Sequence, residues 1–175
     1  MHHPWLDGIF FVFSTTGLGW CQVVLIVALL VDWSHLQRET WSRHGLALPM
    51  LITYVVAGTL NSVIKRIVPR ERPSNYAWSS PQESFYFNSF SSGHTATAVA
   101  LAVCLWWLTR RTERAKWGQV ALVWSALVGF SRIYRGVHWP TDVACGAAVG
   151  LLFGTLVSYW WMQKRELDSG KTPIL

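Results

Sequence analysis

The run VACGAAVGLLFGTLVSYWWM, Val143–Met162, carries no charge over 20 residues. A helix rises about 1.5 Å per residue, so this length crosses a hydrocarbon core about 30 Å thick. A second run, LALPMLITYVVAGTLNSVI, Leu46–Ile64, is uncharged over 19 residues. Two such runs put the chain in a bilayer and exclude a soluble globule, a disordered chain and a secreted disulfide scaffold. Composition agrees: 51% of residues are hydrophobic and 14% charged, where soluble domains carry about 25% charge. The 175 residues read as a single domain, 1–175.

Working outward from these runs, five apolar segments can be placed. The first, Ile9–Asp32, is interrupted by Ser14, Thr15, Thr16, Gly17 and Gly19. Trp5–Thr16 therefore reads as an amphipathic helix in the membrane interface, with Gly17–Trp33 crossing. The others are His44–Ile64, Ser92–Leu108, Trp117–Ile133 and Thr141–Met162. The expected fold is an all-α, polytopic membrane helix bundle with about five transmembrane helices and an N-terminal interfacial helix. Trp33, Trp41, Trp106, Trp107, Trp117, Trp160 and Trp161 flank segment ends, where aromatic rings favour the headgroup level. Gly146, Gly150 and Gly154 recur every four residues and form one smooth face, whose expected use is close packing within the bundle. Cys21, Cys104 and Cys145 all fall within the segments and read as apolar packing residues, with no disulfide or metal role.

The formal net charge of +6 does not point to nucleic acid, because the basic residues cluster at segment ends and in short loops. Alternating helices put Arg38, Arg43, Arg110, Arg111, Arg114, Lys116, Lys164, Arg165 and Lys171 on one side. Lys65, Arg66, Arg70, Arg72, Arg132 and Arg135 fall on the other. The more basic side is the expected cytoplasmic one. The start, Met1-His2-His3-Pro4, lacks the basic region of a cleavable signal. The expectation is an integral protein of a bacterial inner membrane, with the second side facing the periplasm or exterior.

That second side is chemically unusual. It gathers Lys65–Pro73 after the second segment, Ser91-Ser92-Gly93-His94 before the third, Ser131-Arg132 ending the fourth, and His138-Trp139-Pro140-Thr141-Asp142 before the fifth. Singly, each has an ordinary explanation as a topology signal or a helix cap. Together on one membrane face they suggest a site. Lys65, Arg72 and Arg132 supply fixed positive charge, and arginine's planar fork matches phosphate oxygens two at a time. Ser92-Gly93 opens a helix whose first amides lack intrahelical partners, which is a setting for an anion. The implied ligand is a phosphate group. Asp142, four residues after His138, can fix the imidazole tautomer and leave a lone pair to attack phosphorus. His94 is placed to protonate the leaving oxygen. No HExxH or CxxC spacing supports a metal site.

Lys65-x6-Arg72-Pro73, Ser92-Gly93-His94 and Ser131-Arg132-x5-His138-x3-Asp142 together resemble the three-part signature of the type 2 phosphatidic acid phosphatase superfamily. Order and internal spacings match over residues 65–142, with Ser91 standing where the signature usually has proline. The resemblance implies cofactor-free, metal-independent hydrolysis of a membrane lipid phosphate or polyprenyl pyrophosphate. Undecaprenyl pyrophosphate and phosphatidylglycerophosphate lead, with lipid A third. It also implies roles: Lys65, Arg72, Arg132, Ser92 and Gly93 bind the phosphoryl group, and His138 becomes a phosphohistidine oriented by Asp142. His94 would donate a proton and then activate water. A phosphotransferase sharing the phosphohistidine, and a non-catalytic lipid-phosphate binding or transport protein, are the alternatives. The related haloperoxidases bind vanadate but are soluble. Tyr76, Trp78, Phe85, Tyr86, Phe87 and Phe90, between Arg72 and Ser91, could line a lipid entry or form a lid.

Overall fold

The computed structural model describes residues 3–30, 43–76 and 88–170. The expected aromatic lid falls largely on residues 77–87, and Arg38 and Lys171 of the basic side also lie outside the described residues. The protein is all-α. Its helices are α1 (Pro4–Thr16), α2 (Gly19–Leu30), α3 (Arg43–Ile67), α4 (Gly93–Thr109), α5 (Ala115–Tyr134) and α6 (Pro140–Asp168). A 3₁₀ turn, Pro73–Asn75, lies between α3 and α4.

The centre of the bundle is α4, which packs against α3, α5 and α6. Every residue from Thr95 to Cys104 is buried. A helix that is apolar all round belongs inside a bundle, and the small residues Ala96, Ala98, Ala100 and Ala102 let its neighbours approach. The glycine face of α6 takes up that approach. A Cβ at Gly146 would lie 2.5 Å from the Ser92 carbonyl oxygen, one at Gly150 2.6 Å from that of Ala96, and one at Gly154 2.7 Å from that of Ala100. Three successive turns of α6 thus rest on the backbone of α4 from its first turn downward.

At the N-terminus α1 and α2 meet at a 58° bend. Gly17 lies at the bend, where a Cβ would come within 2.6 Å of Val128 on α5. The division at residue 17 is the one the sequence suggests. Among the described residues two helices, α3 over Gly45–Ile67 and α6, are long and apolar enough to cross a membrane, and the bent α1–α2 pair makes a third if it is counted as one span. The expected count of about five is not reached on these criteria, because α4 is only 17 residues long and α5, at 20 residues, is diluted by polar residues such as Lys116, Gln119 and Arg132. Cys21, Cys104 and Cys145 are free thiols.

Candidate active site

The α5–α6 connection places the first histidine. Gly136 adopts a left-handed φ of 67°, which a residue with a Cβ rarely adopts. The chain turns back there, and the Arg132 carbonyl accepts from the amides of both Val137 and His138 at 3.2 Å. His138 is thereby tied over the last turn of α5. Pro140 then starts α6 with its φ already suited to a helix. Asp142 closes this start by accepting from the Trp139 amide through Oδ2 at 2.9 Å.

Asp142 is completely buried and densely held. Its Oδ1 accepts from Arg70 Nη1 at 2.7 Å. Its Oδ2 accepts from the Ser89 hydroxyl as well as from the Trp139 amide. His138 Nδ1 lies 3.5 Å from that same oxygen, adjacent but longer than a formed hydrogen bond. The ring's other nitrogen, Nε2, is 3.3 Å from Arg72 Nη1. Burial pulls the His138 imidazole down to about 4. Asp142 opposes that shift, and the charges of Arg72, Arg132 and Lys65 reinforce it. The imidazole is therefore neutral near pH 7, with a lone pair available.

The cations come from three elements. Arg72, 5% exposed, donates to the Val137 carbonyl at 2.7 Å through Nη1 and to the Asn88 carbonyl at 3.4 Å through Nη2. Lys65 Nζ donates to the same Asn88 carbonyl at 3.0 Å, and Asn88 Nδ2 returns a bond to the Lys65 carbonyl at 3.0 Å. Arg132, 2% exposed, donates to the Ser14 hydroxyl on α1.

The start of α4 completes the group. The Ser92 amide donates to the Asp142 carbonyl at 3.1 Å, which fastens α4 to α6. Ser92 Oγ accepts from Thr95 Oγ1 at 2.9 Å. A Cβ at Gly93 would press on Asn61 Nδ2 at 3.1 Å. Ser91, at the position where the signature usually carries proline, donates to Asn61 Oδ1 on α3 at 2.5 Å. His94 Nε2 is buried without a hydrogen-bond partner among the described residues. His94 shares one electrostatic environment with Arg132, His138, Lys65 and Arg72. All eight residues singled out in the sequence thus converge where α3, α4, α5 and α6 end or begin.

Sequence reasoning missed Arg70, Asn88, Ser89, Asn61 and Ser14. Arg70 stands inside the Lys65–Arg72 spacing, where the sequence marks it as one of a basic run without a role of its own. The others are small polar residues whose partners lie far along the chain.

The family model of the PAP2 superfamily matches residues 46–166. The chain belongs to the PAP2 superfamily. Among curated members of known name, it is 32% identical over 179 residues to the lipid A 4'-phosphatase of Porphyromonas gingivalis, covering 95% of this chain and 70% of that protein. It is also 32% identical over 164 residues to phosphatidylglycerophosphatase B of Bacillus subtilis, covering 90% and 76%. Its fold is similar to the crystal structure of the transmembrane PAP2-type phosphatidylglycerolphosphate phosphatase from Bacillus subtilis. The TM-score is 0.74 at 27% identity, over 98% of this chain and 81% of that one. With this membership and its apolar helices, the PAP2 protein described here is an integral membrane protein.

Proposed function

We propose that this lipid phosphatase of the PAP2 superfamily hydrolyses a phosphate ester or anhydride on a membrane lipid through a phosphohistidine on His138. The observation that carries the reading is the setting of His138. One ring nitrogen faces an arginine of the cation group at 3.3 Å, and the other faces a buried carboxylate at 3.5 Å. In this scheme Lys65, Arg72 and Arg132 take the phosphoryl oxygens, with Ser92 and the Gly93 amide contributing from the start of α4. The Nε2 lone pair attacks phosphorus and the phosphorus–oxygen bond to the lipid breaks. His94 gives its proton to the leaving oxygen. Water then attacks the phosphohistidine, loses a proton to His94 and releases inorganic phosphate. Side-chain cations stabilise the transferring group, so no metal is invoked.

The favoured substrates are phosphatidylglycerophosphate, supported by the similarity in sequence and in fold to a Bacillus subtilis phosphatase bearing that name, and undecaprenyl pyrophosphate, whose terminal phosphate offers the same chemistry. The bundle is taken to sit in a bacterial inner membrane with about five crossings. Its site opens to the periplasm or exterior, a direction supported by the excess of basic residues on the opposite side.

Phosphate release by the purified protein in detergent, from a panel of both lipids, lipid A and phosphatidic acid with EDTA present, tests this reading. The expected result is turnover in chelator that His138→Ala abolishes. Turnover by His138→Ala near the wild-type rate would remove the nucleophile, and strict loss in EDTA would remove the metal-free scheme. Binding of the lipids with no release of phosphate from any of them would reduce the protein to a lipid-binding role.

A further inference from the structure

The Asp142 carboxylate is shared by more groups than an orienting aspartate requires. Arg70 Nη1 donates to Oδ1 at 2.7 Å and to the neighbouring Thr141 Oγ1 at 2.6 Å. The Arg70 guanidinium also lies over the Trp139 ring, 5.4 Å from its centre. Its backbone carbonyl accepts from the Ser89 amide at 2.8 Å, and the Ser89 hydroxyl donates to Asp142 Oδ2. Arg70 therefore reaches one carboxylate oxygen directly and the other through Ser89. Three of the four residues from Trp139 to Asp142 at the α6 start, all but Pro140, are contacted by this one side chain.

We propose that Arg70 is a positioning residue for phosphoryl transfer, clamping Asp142 and tempering its pull on the Nδ1 side of His138. The proposal rests on the reading of His138 as nucleophile and Asp142 as its orienting partner. A buried carboxylate with uncompensated charge would favour the imidazolium form of His138, which has no lone pair to offer. An arginine bonded to the outer side of that carboxylate offsets part of its charge and keeps the ring neutral. When Nε2 takes the phosphoryl group, positive charge develops on the ring and Nδ1–H needs an acceptor. Oδ2 is then already held in place by Ser89 and the Trp139 amide, so little reorganisation is required. The charged and titratable groups facing His138 are Lys65 from α3, Arg72 after α3, His94 from α4, Arg132 from α5 and Asp142 from α6. Arg70 acts on the ring through Asp142.

The test measures kcat and KM from pH 4 to 8 for the full-length protein in detergent, using short-chain phosphatidic acid as the probe. Ionisation of this substrate is the same for every variant, so differences between profiles belong to the protein. Arg70→Gln is expected to lower kcat by about 10- to 100-fold with KM changed less than about threefold, and to move the acid limb up by about one pH unit. Arg70→Lys keeps the charge and should return the limb to its wild-type position with most of the rate. Ser89→Ala, which breaks the route to Oδ2, should move the limb the same way by a smaller step and serves if Arg70→Gln does not fold. A lower kcat with an unmoved limb in Arg70→Gln and Ser89→Ala, without rescue by lysine, would overturn the positioning role. An Arg70→Gln rate equal to wild type would do the same. His138→Ala in the same assay separates the two levels of argument. If it is active, the nucleophile reading fails. If it is inactive while Arg70→Gln behaves as wild type, only the role of Arg70 fails.

Discussion

Lys65 and Asn88 hold each other by a reciprocal pair of hydrogen bonds, each side chain donating to the other's backbone carbonyl at 3.0 Å. The Asn88 carbonyl also accepts from Arg72 Nη2. Two cations of the proposed phosphate cradle are thus gathered on one peptide oxygen, which an incoming phosphate oxygen would replace. The clasp positions them before the substrate arrives.

Asn88→Ala removes one half of the clasp and leaves the carbonyl. Losing one such bond costs about 1 kcal/mol, so KM should rise by roughly three- to tenfold with kcat nearly unchanged. Steady-state kinetics on the best lipid of the panel checks this. A fall in kcat at constant KM would mean that Asn88 acts on the reaction step and not on binding.

Arg132→Lys tests the bidentate fork. Arg132 is almost fully buried and already donates to Ser14 on α1. An ammonium keeps the charge but not the planar pair of donors. We expect kcat/KM to fall by about 10- to 100-fold, equivalent to about 1.4 to 2.7 kcal/mol. Ser14→Ala should be milder, costing about 1 kcal/mol of stability, because it loosens the guanidinium without removing it. Equal kinetics for wild type and Arg132→Lys would exclude a forked phosphate contact.

The helices were legible in the sequence because apolar runs and their punctuation are local. The segment Ser92–Leu108 became α4 at Gly93–Thr109, and Trp117–Ile133 became α5 at Ala115–Tyr134. Helix α6 runs on to Asp168, beyond the apolar limit at Met162, since the helical backbone continues through Gln163-Lys164-Arg165-Glu166 once the hydrophobic stretch has ended. What composition could not tell is whether a helix faces lipid or protein. Apolar residues suit both settings, and α4 is enclosed. The signature residues were readable because their spacing is fixed within each short motif. Arg70, Ser89 and Asn88 were not, because their partners are set by the packing of α3 and α6 around α4. A hydroxyl or an amide in a loop carries no local sign of such a partner.

On the proposed reading of His138 as the nucleophile, the pH dependence of the reaction follows from its burial. Its imidazole sits at about 4, well below the ordinary histidine value, chiefly because burial disfavours the charged ring. A depressed value keeps the free base available as pH falls through 6.5, and protonation removes it only near 4. Corrected for the titration of the substrate's own phosphate, kcat/KM should stay level down to about pH 5 and decline toward pH 4. A corrected acid limb centred between pH 6 and 7 would show an imidazole in contact with water, contrary to its 3% exposure.

The glycine face of α6 separates stability from catalysis. At Gly146 a Cβ would lie 2.5 Å from the Ser92 carbonyl oxygen, and at Gly154 a Cβ would lie 2.7 Å from that of Ala100. Both obstacles are backbone atoms of α4, which no side-chain rotation relieves. Either alanine should therefore push α6 from α4 and lower stability by about 1–3 kcal/mol, the usual cost of overpacking. The two positions differ in what moves. Ser92 opens α4, its amide binds the Asp142 carbonyl, and Gly93 and His94 follow directly. Gly154 lies two turns, about 12 Å, further down the helix. Gly146→Ala should lower kcat/KM by at least about tenfold, in keeping with the sensitivity of phosphoryl transfer to small misplacements. Gly154→Ala should lose stability with activity within about threefold of wild type. Thermal unfolding in detergent, paired with phosphate release well below the melting temperature, reads both effects. Equal loss of activity in the two variants would mean that α4 and α6 shift as one body, so that the start of α4 cannot be displaced separately.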